Sequence, residues 1–380
     1  MIPYGKQDIN QDDVDAVVNV LKSDYLTQGP AIGQFEQSVS EYCGAKFAIA
    51  VNSATSALHI ACLALGVGKG DTVWTSPNSF VASSNCAIYC DATVDFVDID
   101  VETGNISIAS LRAKLQEAKN NNTLPKVVIP VHFAGQSCDM AEIAKLANEY
   151  HFKIIEDASH AIGAKYNNSP VGNCQFSDIC VFSFHPVKII TSAEGGMLTT
   201  KCGNIATKLK SLRSHGITNQ PEDLIKVDQG PWYYEQQSLG FNYRITDIQA
   251  ALGLSQMKRL DEFVTKRHQL TALYTKYLPT NLTHLMQSPD CYSSYHLYVV
   301  LLDNAAKRKE IVTQLRANGV FAHVHYIPIH LQPFYRNLGF REGDYPNSEE
   351  YYSKAITLPL HPNLTENDII FISDTLRELM

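Results

Sequence analysis

The stretch Val181-Phe-Ser-Phe-His-Pro-Val-Lys188-Ile-Ile-Thr-Ser-Ala-Glu-Gly-Gly-Met-Leu-Thr-Thr200 decides how the rest of the chain is to be placed. It reads as a short apolar strand, a polar turn with one lysine, a tight Glu194-Gly-Gly196 turn and a second strand. Lys188 has Phe184, Val187, Ile189 and Ile190 around it in the sequence. Packing an ammonium among such residues lowers its pKa and leaves a neutral amine, the form that attacks a carbonyl to give a Schiff base. Taken alone, the same lysine could equally be an ordinary surface residue at a strand end.

Outward from this stretch the chain alternates between strands and helices. Phe47–Asn52 reads as a buried strand that turns directly into a helix over 53–65. Further strands are expected over 71–76, 93–100, 126–132 and 153–157, and helices over 11–22, 32–43, 107–119 and 139–151. That alternation predicts an α/β fold with a mixed, mostly parallel, doubly wound sheet. In such sheets ligands bind at the carboxyl ends of the strands. Ser53–Ser56, Phe80 and Glu156–Asp157 all fall at or just past a strand end and can converge on one crevice. The serine/threonine-rich start of the 53–65 helix is either a plain N-cap or a phosphate site. One long helix is expected over 245–276. After it, strands over 292–302 and 320–326 alternate with helices over 305–318 and 365–379 as a smaller αβ unit. The expected domains are therefore 1–250, large, and 251–380, the connecting helix with the small C-terminal part.

Composition narrows the function. The chain has 380 residues and a net charge of -8, with no dense Lys/Arg stripe, which argues against a nucleic-acid partner. No apolar run reaches the length of a membrane span, and the first residues do not resemble a secretory leader. The nine cysteines are odd in number and scattered through apolar runs, as expected of reduced thiols in a cytoplasmic protein. Cys86 and Cys90, four apart, lack a second pair at zinc spacing, and no metal is expected there. His323, His325 and His330 lack the carboxylate or cysteine set that would complete a metal site, so substrate contact or packing is the expectation.

Five motifs in order carry a resemblance that runs over essentially the whole chain: Ser53-Ala-Thr-Ser-Ala-Leu58, Glu156-Asp-Ala-Ser-His-Ala161, Ser183-Phe-His-Pro-Val-Lys188, Glu194-Gly-Gly196 and Gly240-Phe-Asn-Tyr-Arg-Ile-Thr-Asp-Ile-Gln-Ala-Ala251. Together they resemble the fold-type I pyridoxal 5'-phosphate enzymes, and in particular the DegT/DnrJ/EryC1/StrS nucleotide-sugar aminotransferases. The resemblance implies that Lys188 holds the cofactor covalently and moves protons. It implies that Asp157 pairs with the pyridine nitrogen, so that the ring acts as an electron sink. Phe80 would lie against the ring. Ala54, Thr55 and Ser183 would hold the phosphate, and Asn242 would reach the phosphate of a neighbouring subunit, making the enzyme a homodimer with a shared site. His160 stands where many relatives carry Gln and would contact the cofactor or the sugar. Ala193 replaces a glycine common before Glu-Gly-Gly, which restricts the backbone there.

The opening Ile2-Pro-Tyr-Gly-Lys-Gln7 and Ser23-Asp-Tyr-Leu-Thr-Gln-Gly-Pro30 further resemble the pseudaminic-acid branch of that family. Those enzymes aminate a UDP-4-keto-6-deoxy-N-acetylhexosamine at C4, with L-glutamate as donor in a ping-pong cycle. By that resemblance Tyr4, Lys6, Thr27, Arg213, His323 and Tyr326 are candidate substrate contacts, with Arg244 a further candidate for the diphosphate. Three alternatives stand beside this reading. The substrate could be another UDP- or TDP-linked keto sugar. A dehydratase branch usually has His in place of the lysine, which Lys188 argues against. A non-catalytic cofactor-binding regulator would bind without transferring nitrogen.

Overall fold

The computed structural model describes residues 1–226 and 229–380. Seven strands form the central sheet: β1 (Phe47–Val51), β2 (Thr72–Thr75), β3 (Thr93–Phe96), β4 (Val127–Ile129), β5 (Lys153–Asp157), β6 (Ile179–Ser183) and β7 (Gly196–Thr200). Their spatial order is β1-β7-β6-β5-β4-β2-β3. β3, β2, β4, β5 and β6 run parallel, and β7 runs antiparallel to both β6 and β1. The antiparallel strand lies in the deciding stretch: the loop over 184–195, which carries Lys188, returns the chain beside the strand it left in the opposite direction.

The sheet is buried on both faces, as its near-continuous apolar strands require. Ile49, Val51, Ile129, Ile155, Val181 and Leu198 pack against α3 (Ala54–Ala64) and α4 (Ala82–Ile88). The alternate residues Ala48, Ala50, Cys180, Phe182 and Met197 pack on the other face with α2 (Pro30–Cys43) and α5 (Asp247–Met257). Side chains alternate along a strand. Asp157 and Ser183 therefore lie on the face of Ile155 and Val181, while Glu156 lies on the face of Ile154.

The single helix expected over 245–276 is two helices, α5 and α6 (Leu260–Tyr277), parted at Lys258–Arg259. The break has a polar cause. Arg259 bonds Asp8 and the fully buried Asp13, and Gln256 bonds the same Asp13 oxygen at 2.6 Å. These contacts fasten the N-terminal segment and α1 (Gln11–Leu21) to the α5–α6 junction. The strand expected over 292–302 is ordered as a strand only at Cys291–Tyr292 and Tyr298–Leu301, and that over 320–326 only at Val320–Phe321. Thr283–His284, Tyr298–Leu301 and Ala355–Leu358 make a small antiparallel sheet, β8–β10, packed with α6 and α7 (Glu366–Leu379). Ile2–Pro3 pairs in parallel with Val320–Phe321 as a separate two-stranded sheet, and from there the N-terminal strap passes the crevice at Tyr4.

Candidate active site

A cavity of 630 Å³ opens at the carboxyl ends of β1, β2, β5 and β6. Lys188, Asp157, Ala54, Thr55, Phe80, His160 and Ser183 all line it. So do Tyr4, His323 and Tyr326 from the N-terminal strap and the segment after Val320–Phe321.

Lys188 follows β6 in the turn that the deciding stretch builds. Burial drives its amine down from 10.5 to about 8, and the nearby Asp157 carboxylate opposes that fall in part. The same residue at an ordinary surface would be almost wholly protonated at neutral pH. Here about a tenth is the free amine, the nucleophilic form, at pH 7. The turn is held by Thr191 Oγ1, which accepts the Ala193 amide at 3.0 Å, and by Ser192 Oγ, which donates to the Glu194 carbonyl at 3.0 Å. Ala193 adopts φ 65, the left-handed region that glycine would enter at lower cost.

Asp157 ends β5. Its Oδ2 accepts from Ser83 Oγ at 2.6 Å and its Oδ1 from the Ser159 amide at 3.1 Å. Ser79 Oγ lies 2.7 Å from Ser83 Oγ and completes a buried hydroxyl chain behind the carboxylate. Ser83 and Ser79 carry no motif signal of their own: Ser83 is in the first turn of α4 and Ser79 in the loop before it.

Across the cavity, Ser53 caps α3 by accepting the Ser56 amide at 3.1 Å. The first-turn amides of Ala54 and Thr55 have no carbonyl four residues back to bond, so they point an electropositive helix end into the cavity. Gly196 lets β7 approach this turn: a Cβ there would sit 2.5 Å from the Ser53 carbonyl carbon and 2.7 Å from the Ala54 nitrogen. Phe80 presents a large aromatic face, 60% exposed, at the cavity wall. A phosphorylated heterocyclic aldehyde fits this donor set: amides and hydroxyls for the phosphate, a carboxylate for a ring nitrogen, an aromatic face for the ring and an amine for the aldehyde.

The remaining wall is imidazole and phenol. His160 is buried, its Nε2 is 3.1 Å from the Tyr326 hydroxyl, and its Nδ1 has no protein partner. Its ring lies against His296 at 4.3 Å between centroids. Burial first, then the charge of Lys188, keeps His160 well below the usual imidazole range. Burial first, then His323 and after it Lys188, does the same for His325. Both are neutral at neutral pH. Tyr4 packs against His323 and His325 at 5.3 and 5.1 Å. Glu194, His185, His325 and Gln332 also line the cavity; of these, Gln332 alone lies outside the stretches singled out in the sequence.

Several expected contacts lie elsewhere. Arg213 is engaged in an ion pair with Glu36 at 2.6 Å and donates to the Ala50 carbonyl at 2.8 Å, so its guanidinium does not line the crevice. The diphosphate contact expected of it lies outside the cofactor crevice, where Glu36 and the Ala50 carbonyl already take up its guanidinium. Thr27 is exposed and bridges Thr246 through its backbone, and Asn242 is exposed and bridges Ser214; neither lines the cavity of its own chain. Arg244 also lies outside it. Lys6 is exposed and borders a shallow recess behind Lys188 with Pro186 and Ile190. Among the described residues no group of three or more His, Cys, Asp or Glu side chains could hold a metal ion.

The fold and the cavity define a pyridoxal-phosphate-dependent transferase of fold type I. The DegT/DnrJ/EryC1/StrS aminotransferase family model matches residues 7–377, and the chain belongs to that family: it is a sugar aminotransferase. It is 38% identical over 384 residues to the UDP-4-amino-4,6-dideoxy-N-acetyl-beta-L-altrosamine transaminase of Campylobacter jejuni, covering 100% of this chain and 98% of that protein. It is 36% identical over 387 residues to the spore coat polysaccharide biosynthesis protein SpsC of Bacillus subtilis, covering 100% and 97%. Among solved structures it is similar to Helicobacter pylori PseC, an aminotransferase involved in the biosynthesis of pseudoaminic acid, with a TM-score of 0.91, 32% identity and coverage of 100% and 98%.

Proposed function

We propose that the enzyme moves the amino group of L-glutamate to C4 of a UDP-4-keto-6-deoxy-N-acetylhexosamine, giving UDP-4-amino-4,6-dideoxy-N-acetyl-beta-L-altrosamine. The observation that carries the reading is the full-length similarity, at 38% identity, to a transaminase named for that product. Bound pyridoxal phosphate supplies the carbonyl that receives the amino group and a ring that accepts electrons. The chain supplies the rest. The neutral Lys188 amine is the nucleophile and, once released, a base that takes and returns a proton at Nζ. Asp157, held by Ser83 and Ser159, keeps a proton on the ring nitrogen. The α3 N-terminus and Ser183 bind the phosphate. Tyr4, His323 and Tyr326 form a wall for the sugar, and the neutral state of His160 leaves Lys188 as the proton carrier.

Among the described residues the lining of one chain contains no arginine and no lysine besides Lys188, yet both substrates are anions. We infer that a second copy completes the site in a homodimer. Asn242 is exposed, and Trp232, Tyr234 and Leu239 nearby in sequence are 76%, 59% and 79% exposed, an apolar surface suited to a partner. Two domains, 1–250 and 251–380, and a cytoplasmic location complete the reading; no helix among the described residues is long and apolar enough to cross a membrane.

The test is direct. Purified enzyme with pyridoxal phosphate should lose its visible band on adding glutamate and regain it with the UDP-4-keto sugar, and the product should carry its nitrogen at C4 by NMR. Bleaching without recovery by this sugar would refute the substrate and favour another keto sugar, the second reading that similarity to SpsC supports. Absence of any visible band would refute the assignment of Lys188.

A further inference from the structure

Behind Asp157, on the opposite face of β5, lies a second carboxylate that the reaction as described does not use. Glu156 is 5% exposed. Its Oε2 is 2.8 Å from His132 Nε2, and its Oε1 accepts from Ser177 Oγ. His132 is fully buried, and its Nδ1 accepts the Cys138 amide at 3.1 Å. An amide can only donate, so the His132 proton sits on Nε2 and points at Glu156. Both Glu156 oxygens are therefore acceptors. The pair is a neutral imidazole and an ionised carboxylate, so Glu156 carries a negative charge that its neighbours hydrogen-bond without neutralising.

The surroundings agree. Among the described residues no Lys or Arg is ion-paired with Glu156. The groups facing it, besides His132 and Ser177, are the buried thiols Cys43, Cys138, Cys174 and Cys180. Burial pushes each thiol up, and the Glu156 charge adds to the push. His132 also grips the neighbouring residue: its amide donates to the Asp157 carbonyl at 3.0 Å, while the Asp157 amide donates to the Pro130 carbonyl at 2.9 Å. One histidine thus ties the side chain of Glu156 and the backbone of Asp157 to the end of β4.

We propose that the His132–Glu156–Ser177 cluster is a positioning device for Asp157: it fixes the backbone from which that carboxylate projects and places a second, water-shielded negative charge behind it. The charge favours a proton held on the crevice side of β5, which in the proposed function is the proton of the cofactor's ring nitrogen. The inference rests on Asp157 facing that nitrogen.

Two measurements test it. In cofactor-free, ¹⁵N-labelled protein at neutral pH, with His132→Gln to assign the signals, His132 should show a protonated Nε2 and an unprotonated Nδ1. A doubly protonated ring is the contrary result and would overturn the charge assignment whatever the variants do. In the loaded enzyme, Glu156→Gln keeps both hydrogen bonds, because the carboxamide oxygen can accept from His132 and Ser177 can accept from the amide. With ¹⁵N-labelled pyridoxal phosphate, the pH at which the ring nitrogen loses its proton should fall by about one unit in this variant, with about a tenfold slower bleaching by glutamate. An unchanged midpoint in Glu156→Gln, with a lowered one in Asp157→Asn, would refute this inference and leave the role of Asp157 standing. No change in Asp157→Asn would refute the role itself.

Discussion

The depressed amine of Lys188 has a thermodynamic counterpart that needs neither cofactor nor substrate. In the unfolded chain the amine titrates at its ordinary 10.5, and in the folded chain at about 8, mainly because burial strips it of water. Between those values the unfolded state binds more protons than the folded state, so stability rises with pH across that window. Below about pH 8 the folded protein carries the full cost of burying an ammonium, on the order of 3 kcal/mol at pH 7. Lys188→Met keeps the length and apolar stem while removing the charge. The cofactor-free variant should therefore be more stable than the cofactor-free wild type by up to about 3 kcal/mol at pH 7. The gain should shrink as pH passes through 8 and be nearly gone by 10.5. Urea unfolding followed by circular dichroism at pH 7 and near pH 10 measures both values, and the variant should have no transaminase activity. A gain over the wild type that is the same at both pH values, or a variant no more stable than the wild type at pH 7, would refute the claim that the fold holds this amine partly neutral.

Three further outcomes follow from single contacts. Gly196→Ala would press a methyl against the Ser53 carbonyl and the Ala54 nitrogen, at 2.5–2.7 Å, and tilt the α3 N-terminus; pyridoxal-phosphate titration should show about a tenfold weaker affinity with the fold intact by circular dichroism. Arg259→Ala removes the cation from the fully buried Asp13 and unfastens the N-terminal strap; denaturant unfolding should show a loss of about 3 kcal/mol. Tyr326→Phe leaves His160 with no side-chain partner on either ring nitrogen, which should cost about 1–3 kcal/mol in the same assay, and steady-state kinetics should show a raised KM for the sugar.

What the sequence made legible is what short-range chemistry enforces. A strand that ends in Glu-Asp and one that runs into a lysine turn are recognisable because both periodicity and turn residues act within a few positions, and β5 has the bounds expected of it. The small hydroxyl residues that start α3 are legible for the same reason, since a cap is a contact over three residues. Long-range partners are not encoded this way. Nothing local marks Ser83 as the donor to Asp157, 74 positions away, or Arg213 as the partner of Glu36, 177 positions away. The break between α5 and α6 was hidden likewise, because Lys258 and Arg259 are good helix formers and only Asp8 and Asp13, brought in from the N-terminus, give Arg259 a reason to leave the helix. Arg213 shows the consequence for reading function. An arginine near a motif looks like an anion receptor, but here a partly buried carboxylate, Glu36, and the Ala50 carbonyl already take up its guanidinium. Candidate anion contacts are therefore to be sought among basic groups that a chain leaves without an internal carboxylate, and among the described residues lining this crevice Lys188 is the one lysine or arginine.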